Sequence, residues 1–155
     1  MANARRITLL VVLPLVLGVV FYVAWRTEEV RVVTWLPLAV VRALRGTVGR
    51  IPMPAIVVGS ASDAAWGFAF GAAIGLVWRG RARTPRARLW FAVGGAVAAY
   101  AEIGQLWQLP PGTFDVVDLV AIALGYALGV FVSGNDERLR DPGLGGEGRA
   151  VVSKE

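Results

Sequence analysis

Long apolar stretches alternate with short polar ones along the chain. Residues 7–25, 63–78 (with a possible extension back to 56), 89–107 and 114–132 each approach the roughly 20 residues that a helix needs to cross a bilayer. The pattern predicts an all-α fold, an integral membrane bundle of four transmembrane helices, in a single membrane domain over residues 1–132 with a long connector at 26–62. Trp25, Trp66, Trp78, Trp90 and Trp107 fall near the ends of these spans, where interfacial aromatics belong. The first span follows Arg5 and Arg6 as a signal peptide would. It is longer than a usual apolar core and has no A-x-A-like cleavage site, so it reads as an uncleaved signal anchor.

Composition supports lipid as the solvent. Of 155 residues 56% are hydrophobic, and mean hydropathy is +0.60, values too apolar for a soluble domain of this size. Cysteine and histidine are both absent, which removes disulfides, thiol nucleophiles, Cys/His zinc sites and His-based triads from the possible chemistry. The net charge of +5 comes from 16 basic residues, all arginine but Lys154. Against this apolar background they report topology rather than nucleic-acid binding.

The connector after the second span carries Arg79, Arg81, Arg83, Arg86 and Arg88, whereas residues 108–113, after the third, hold no Arg or Lys. The positive-inside rule then puts both termini in the cytoplasm and the protein in a cytoplasmic membrane as a multi-pass chain. The 133–155 tail, with Pro142, many glycines and mixed charge, reads as a disordered cytoplasmic extension. The connector 26–62 runs against the rule, with Arg26, Arg31, Arg42, Arg45 and Arg50 outside. Arg31, Arg42 and Arg45 share a helical face, as in a surface-lying segment, although Pro37 opposes one continuous helix. Either these arginines meet lipid phosphates, or one folds over the acidic ends of the spans.

Those acids are the candidate chemistry. Asp63, Glu102-x-x-Gln105 and Asp115-x-x-Asp118 all reach the same leaflet in this topology. A carboxylate near hydrocarbon must be paired, solvated or neutralised. Gly94, Ala98, Glu102 and Gln105 continue one stripe on the third span, and Asp118, Gly125 and Gly129 one on the fourth. Asp63 leads into Gly67, Gly71 and Gly75. Small-residue stripes mark close helix approach, so the acids face inward, around an acidic pocket open to the outside. Bland readings exist for each: Asp63 after Ser60 and Ser62 as a helix-start residue, Asp115 in a first turn capped by Thr113, Glu102 as a packing contact to Gln105 or a loop backbone. Asp118 lies a turn deeper than Asp115.

The order of Asp63, Glu102-x-x-Gln105, a short loop, Asp115-x-x-Asp118 and Gly125-x-x-x-Gly129 resembles the VanZ-like family of small bacterial membrane proteins, over roughly residues 63–129. The resemblance implies a four-helix architecture, a bacterial cytoplasmic membrane and a cell-envelope setting; the name-giving member is associated with low-level teicoplanin resistance. This chain would be a divergent member. Gly67 stands where the family commonly has His, Gly112 where it has Arg, and Ile122 where it often has Asn.

Three functions follow. The pocket at Asp63, Glu102, Gln105, Asp115 and Asp118 binds an envelope ligand, such as a lipid-linked precursor or a glycopeptide. Alternatively, the acids serve a proton-coupled transporter or lipid flippase, although a proton relay should continue inward. Last comes an enzyme with Glu102 as base, or with acids holding a divalent cation, for which no nucleophile stands nearby. A purely structural subunit of a membrane complex remains the bland reading. No cofactor or resident metal is expected, membrane lipids are the certain neighbours, and oligomeric state is not encoded legibly.

Overall fold

A computed structural model of the chain describes residues 2–26, 36–109 and 113–135, and every regular element among them is helical. Four helices are long and apolar enough to span a membrane: α1 (Asn3–Trp25), α3 (Ala55–Val77), α4 (Pro85–Trp107) and α5 (Val116–Gly134). A short α2 (Leu38–Gly46) lies between the first two. At about 1.5 Å per residue, a 23-residue helix such as α3 extends roughly 34 Å, enough to cross the hydrocarbon core.

The distribution of side-chain size identifies the solvent. Many large apolar residues point outward, with Leu124 67% and Phe131 63% exposed, while most buried positions are small, Ala24, Ala69, Ala72, Ala87, Ala98 and glycines, with Val23, Val41 and Ile122 the larger apolar residues among them. Water would drive the reverse arrangement. Lipid favours it, because tails solvate Leu and Phe while small residues let backbones approach. The chain is a multi-pass membrane protein.

α3 is the central helix, and its partnership with α5 is the tightest. A Cβ added at Gly67 would strike the Ile122 carbonyl, and one at Gly71 the Tyr126 carbonyl; reciprocally, Gly125 lies on the Ala64 carbonyl and Gly129 on that of Phe68. Along both helices the partners advance together toward the C-terminus, so α3 and α5 run parallel. α4 runs opposite to α5: the Tyr126 hydroxyl of α5 donates to the Phe91 carbonyl of α4 at 2.8 Å, and Glu102 near the far end of α4 meets Asp115 before α5. Gly94 makes room for the Tyr126 hydroxyl and the Ile74 side chain.

α1 packs antiparallel on α3, with Gly18 against Ala65 and Ser62. Its helix widens to a π turn over Thr8–Val12, where the Leu13 N–H reaches back five residues to the Thr8 carbonyl. The cause stands next in sequence: Pro14 has no N–H to give to the turn before it, and a π turn absorbs the mismatch without a break.

Segment 36–54 caps the C-terminal end of α1. α2 begins directly after Pro37, so no single helix passes through that proline. Its Arg45 turns inward and donates from Nε to the Val23 carbonyl (3.2 Å) and from Nη2 to the Arg26 carbonyl (3.0 Å), satisfying orphan acceptors at a helix C-terminus with a cation. Trp25 Nε1 donates to the Ile51 carbonyl at 2.9 Å. Arg42 is exposed, and Arg31 lies outside the described residues. The arginines that argued against the charge rule therefore include one consumed by helix capping.

The second span begins at Ala55, behind Pro54, so the extension back to residue 56 belongs to the helix and Asp63 does not start it. The fourth helix continues through Asn135, with Ser133 buried and donating to the Gly129 carbonyl at 2.8 Å, so residue 133 is not the start of a tail. The tail from 136 onward lies outside the described residues. Alternating helix directions collect Arg5, Arg6 and the arginines of 79–88 at one end of the bundle, and Asp63, Glu102, Asp115 and Asp118 at the other.

Candidate functional site

Each acid reaches the acidic end by a different local route. Glu102 lies in the last turn of the α-helical part of α4, before the 3-10 turn Gln105–Trp107, and is only 5% exposed. Both its oxygens are taken: Oε2 accepts from Gln105 Nε2 at 3.0 Å, and Oε1 accepts from the Asp115 backbone N–H at 2.7 Å. A carboxylate at a helix C-terminus faces an unfavourable dipole. Here it is drawn to the N-terminal end of the neighbouring α5, where an N–H and the positive end of the dipole are available. Glu102 thus clamps the end of α4 to the start of α5.

Asp115 is itself the cap of α5. Its Oδ1 accepts from the Val117 N–H at 2.8 Å, and its carbonyl accepts from the Leu119 N–H; Thr113 does not fill that place. The Asp115 side chain is exposed and committed to its own helix. Asp118 consequently falls in the first turn of α5 rather than a turn deeper, where its charge suits the dipole.

Asp63 departs most from the sequence reading. It sits two turns inside α3, beyond the reach of N-terminal capping, which fades within the first turn. Its helix-start role is therefore excluded. Among the described residues it has no hydrogen-bond partner. The carboxylates of Asp118 and Glu102 act on it as like charges and the Arg26 guanidinium as an opposite one, so the acids of α3, α4 and α5 share one electrostatic neighbourhood.

Among the described residues Arg26, one of several connector arginines in the sequence, is the one that reaches the acidic end. It ends α1 and folds across to α3 and α5: Nη2 donates to the Gly59 carbonyl at 3.0 Å and stands 3.8 Å from Asp118 Oδ2. Its guanidinium also lies 5.0 Å from the Tyr22 ring centre, within cation–π range. Gly59 lies beside Asp118, whose Oδ1 is 3.8 Å from where a Cβ would stand, an ordinary contact distance. The signal was its place directly after Trp25, which fixes it at the interface next to the acidic ends. Among the described residues the Arg26 guanidinium, held chiefly by a carbonyl and a ring, pairs with Asp118 and acts on Asp63, with Glu102 a third carboxylate near Asp63.

Beside this cluster, a cavity of about 210 Å³ opens between α1 and α3, lined by apolar Leu15, Val19, Tyr22 and Trp66 and reaching Ser62 and Asp63. The Ser62 hydroxyl is buried without a hydrogen-bond partner. No group of three acids among the described residues is placed to hold a metal ion. Gln105 contributes through its bond to Glu102, and the packing glycines Gly67, Gly71, Gly75, Gly125 and Gly129 set the α3–α5 distance that brings Asp63 near Asp118.

No protein-family model, curated protein or solved structure matches this chain; the VanZ-like resemblance rests on the spacing of its own residues.

Proposed function

We propose that the chain binds a lipid-linked, amine- or hydroxyl-bearing ligand of the bacterial cell envelope at its acidic end, which faces the outside of the cytoplasmic membrane. The observation that carries this reading is the excess of carboxylates over cations around Asp63 among the described residues, next to a cavity with apolar walls. Asp63 and Asp118 have acceptor capacity that the protein does not use, and both lie where an unpaired charge is costly. A donor head group would satisfy them while its hydrocarbon lies between α1 and α3. Glu102, with both oxygens engaged by the protein, positions α5 rather than meeting the ligand.

The VanZ-like resemblance contributes a setting, the envelope, and a phenotype, altered teicoplanin susceptibility. Proton-coupled transport or lipid flipping has less support. Toward the arginine end the helices meet through Gly, Ala and the Tyr126 hydroxyl already bonded to Phe91, and no carboxylate among the described residues continues a relay there.

Arg26 and the ligand compete for the same charge, which gives a test with opposite signs. In lipid nanodiscs, Arg26→Gln should tighten binding of a long-chain alkylammonium probe by roughly fivefold, the equivalent of ~1 kcal/mol for a partly solvated charge pair. Asp118→Asn should weaken it by a similar factor. Equal affinities in both variants and the parent would exclude an amine site at this end.

A further inference from the structure

The α1–α3 seam continues past the acidic end to the other side of the bundle. On α1 the residues Asn3, Ile7, Val11, Leu15, Val19 and Tyr22 follow one another at helical spacing, and all face the seam. At its arginine end the seam opens into a second cavity of about 450 Å³, with Ile7 and Val11 on one wall, Ala73 and Leu76 on the other, and Asn3 and Arg79 at the mouth. Arg79 also borders an adjoining cavity of about 470 Å³ with Trp78 and Arg81.

We propose that this arginine end is a binding site for an anionic phospholipid, its phosphate held at the mouth by Arg79, Arg81 and Asn3 and one acyl chain lying in the seam. Three observations converge. The mouth combines guanidinium donors, which match phosphate geometry, with an amide donor. Below it the walls are aliphatic and turned toward lipid. The π turn at Thr8–Val12 lies on the wall formed by Ile7 and Val11, where a widened helix leaves the gap unfilled. Charge complementarity selects the head group: Arg79 and Arg81 line the two adjoining cavities, Arg5 and Arg6 lie at the same end, and basic pockets between helices favour anionic lipid. Trp78 stands beside the mouth at interfacial depth. Asp63 lies 16 residues from Arg79, roughly 24 Å along the helix axis, so this site is separate from the acidic one and does not depend on its ligand.

The test uses the full chain in nanodiscs of phosphatidylcholine doped with phosphatidylglycerol, with lipids retained after gentle detergent extraction counted by native mass spectrometry. The parent chain should retain phosphatidylglycerol in preference to phosphatidylcholine, and Arg79→Gln should lower that preference by roughly fivefold. Ala73→Phe, which fills the seam and keeps every arginine, should lower it as well. Val11→Phe does the same from the opposite wall, should Ala73→Phe disturb the fold. Arg86→Gln, outside the cavity, should leave it unchanged, and excess inorganic phosphate should not displace the lipid. No preference in the parent chain, an equal loss in Arg86→Gln, an unaffected preference in both seam-filling variants, or displacement by phosphate would each overturn the proposal.

Discussion

Gly71→Val is expected to cost about 3 kcal/mol of bundle stability, the upper range for overpacking a close interface. The side chain would enter the Tyr126 carbonyl and neighbouring backbone atoms of α5. A flexible side chain could move away; a helical carbonyl cannot move without displacing its helix. Because α3 and α5 are parallel and meet through Gly67, Gly71, Gly125 and Gly129 together, relief at one position opens contacts at the others. The packing that drives association in lipid is lost with them. Thermal unfolding in detergent should show a large decrease for Gly71→Val and almost none for Gly134→Ala, where a Cβ meets nothing within 4 Å. Similar midpoints for the two variants would contradict the parallel α3–α5 interface.

Glu102→Ala is the second large effect, also about 3 kcal/mol. Two charge-assisted hydrogen bonds disappear, each worth about 1.5–3 kcal/mol in a buried setting, partly offset by relief of a desolvated charge. The Asp115 N–H and the Gln105 amide lose their acceptor together, and the α4–α5 connection loses its clamp. Glu102→Gln keeps an oxygen for the Asp115 N–H and needs only a turned Gln105 amide, so about 1 kcal/mol is expected. Urea or thermal unfolding of the two variants checks the order; equal losses would show that the charge, not the hydrogen-bond geometry, holds the clamp. One consequence concerns function. A phenotype of Glu102→Ala reports folding as well as binding, whereas Asp63 and Asp118, with free acceptor capacity, report binding more cleanly.

Hydropathy made the four spans legible, because each must satisfy its backbone internally over a bilayer's thickness. Helix starts were harder. Ser60 and Ser62 resemble a cap before Asp63, yet the helix begins behind Pro54, since proline fits ahead of a first turn and the apolar Ile56, Val57 and Val58 already belong to it. Thr113 and Asp115 both suit an N-cap, and only the positions of the Val117 N–H and Glu102 decide for Asp115. The glycine spacings pointed to close helix contacts, but spacing does not say which helix answers which. The parallel pairing of α3 with α5 came from three dimensions. So did the choice of Arg26 among the connector's arginines, since its partner Gly59 lies 33 residues away. Pro14 was the readable trace of the π turn in α1.

The proposed function assigns Asp63 and Asp118 to a lipid-linked donor ligand at the acidic end. Native mass spectrometry of the protein extracted from its own membrane tests it most directly. The parent chain should carry an amine- or hydroxyl-bearing envelope lipid that is lost in an Asp63→Asn, Asp118→Asn double variant of unchanged thermal stability. A parent chain without such a lipid, or a double variant that retains it undiminished, would contradict the assignment.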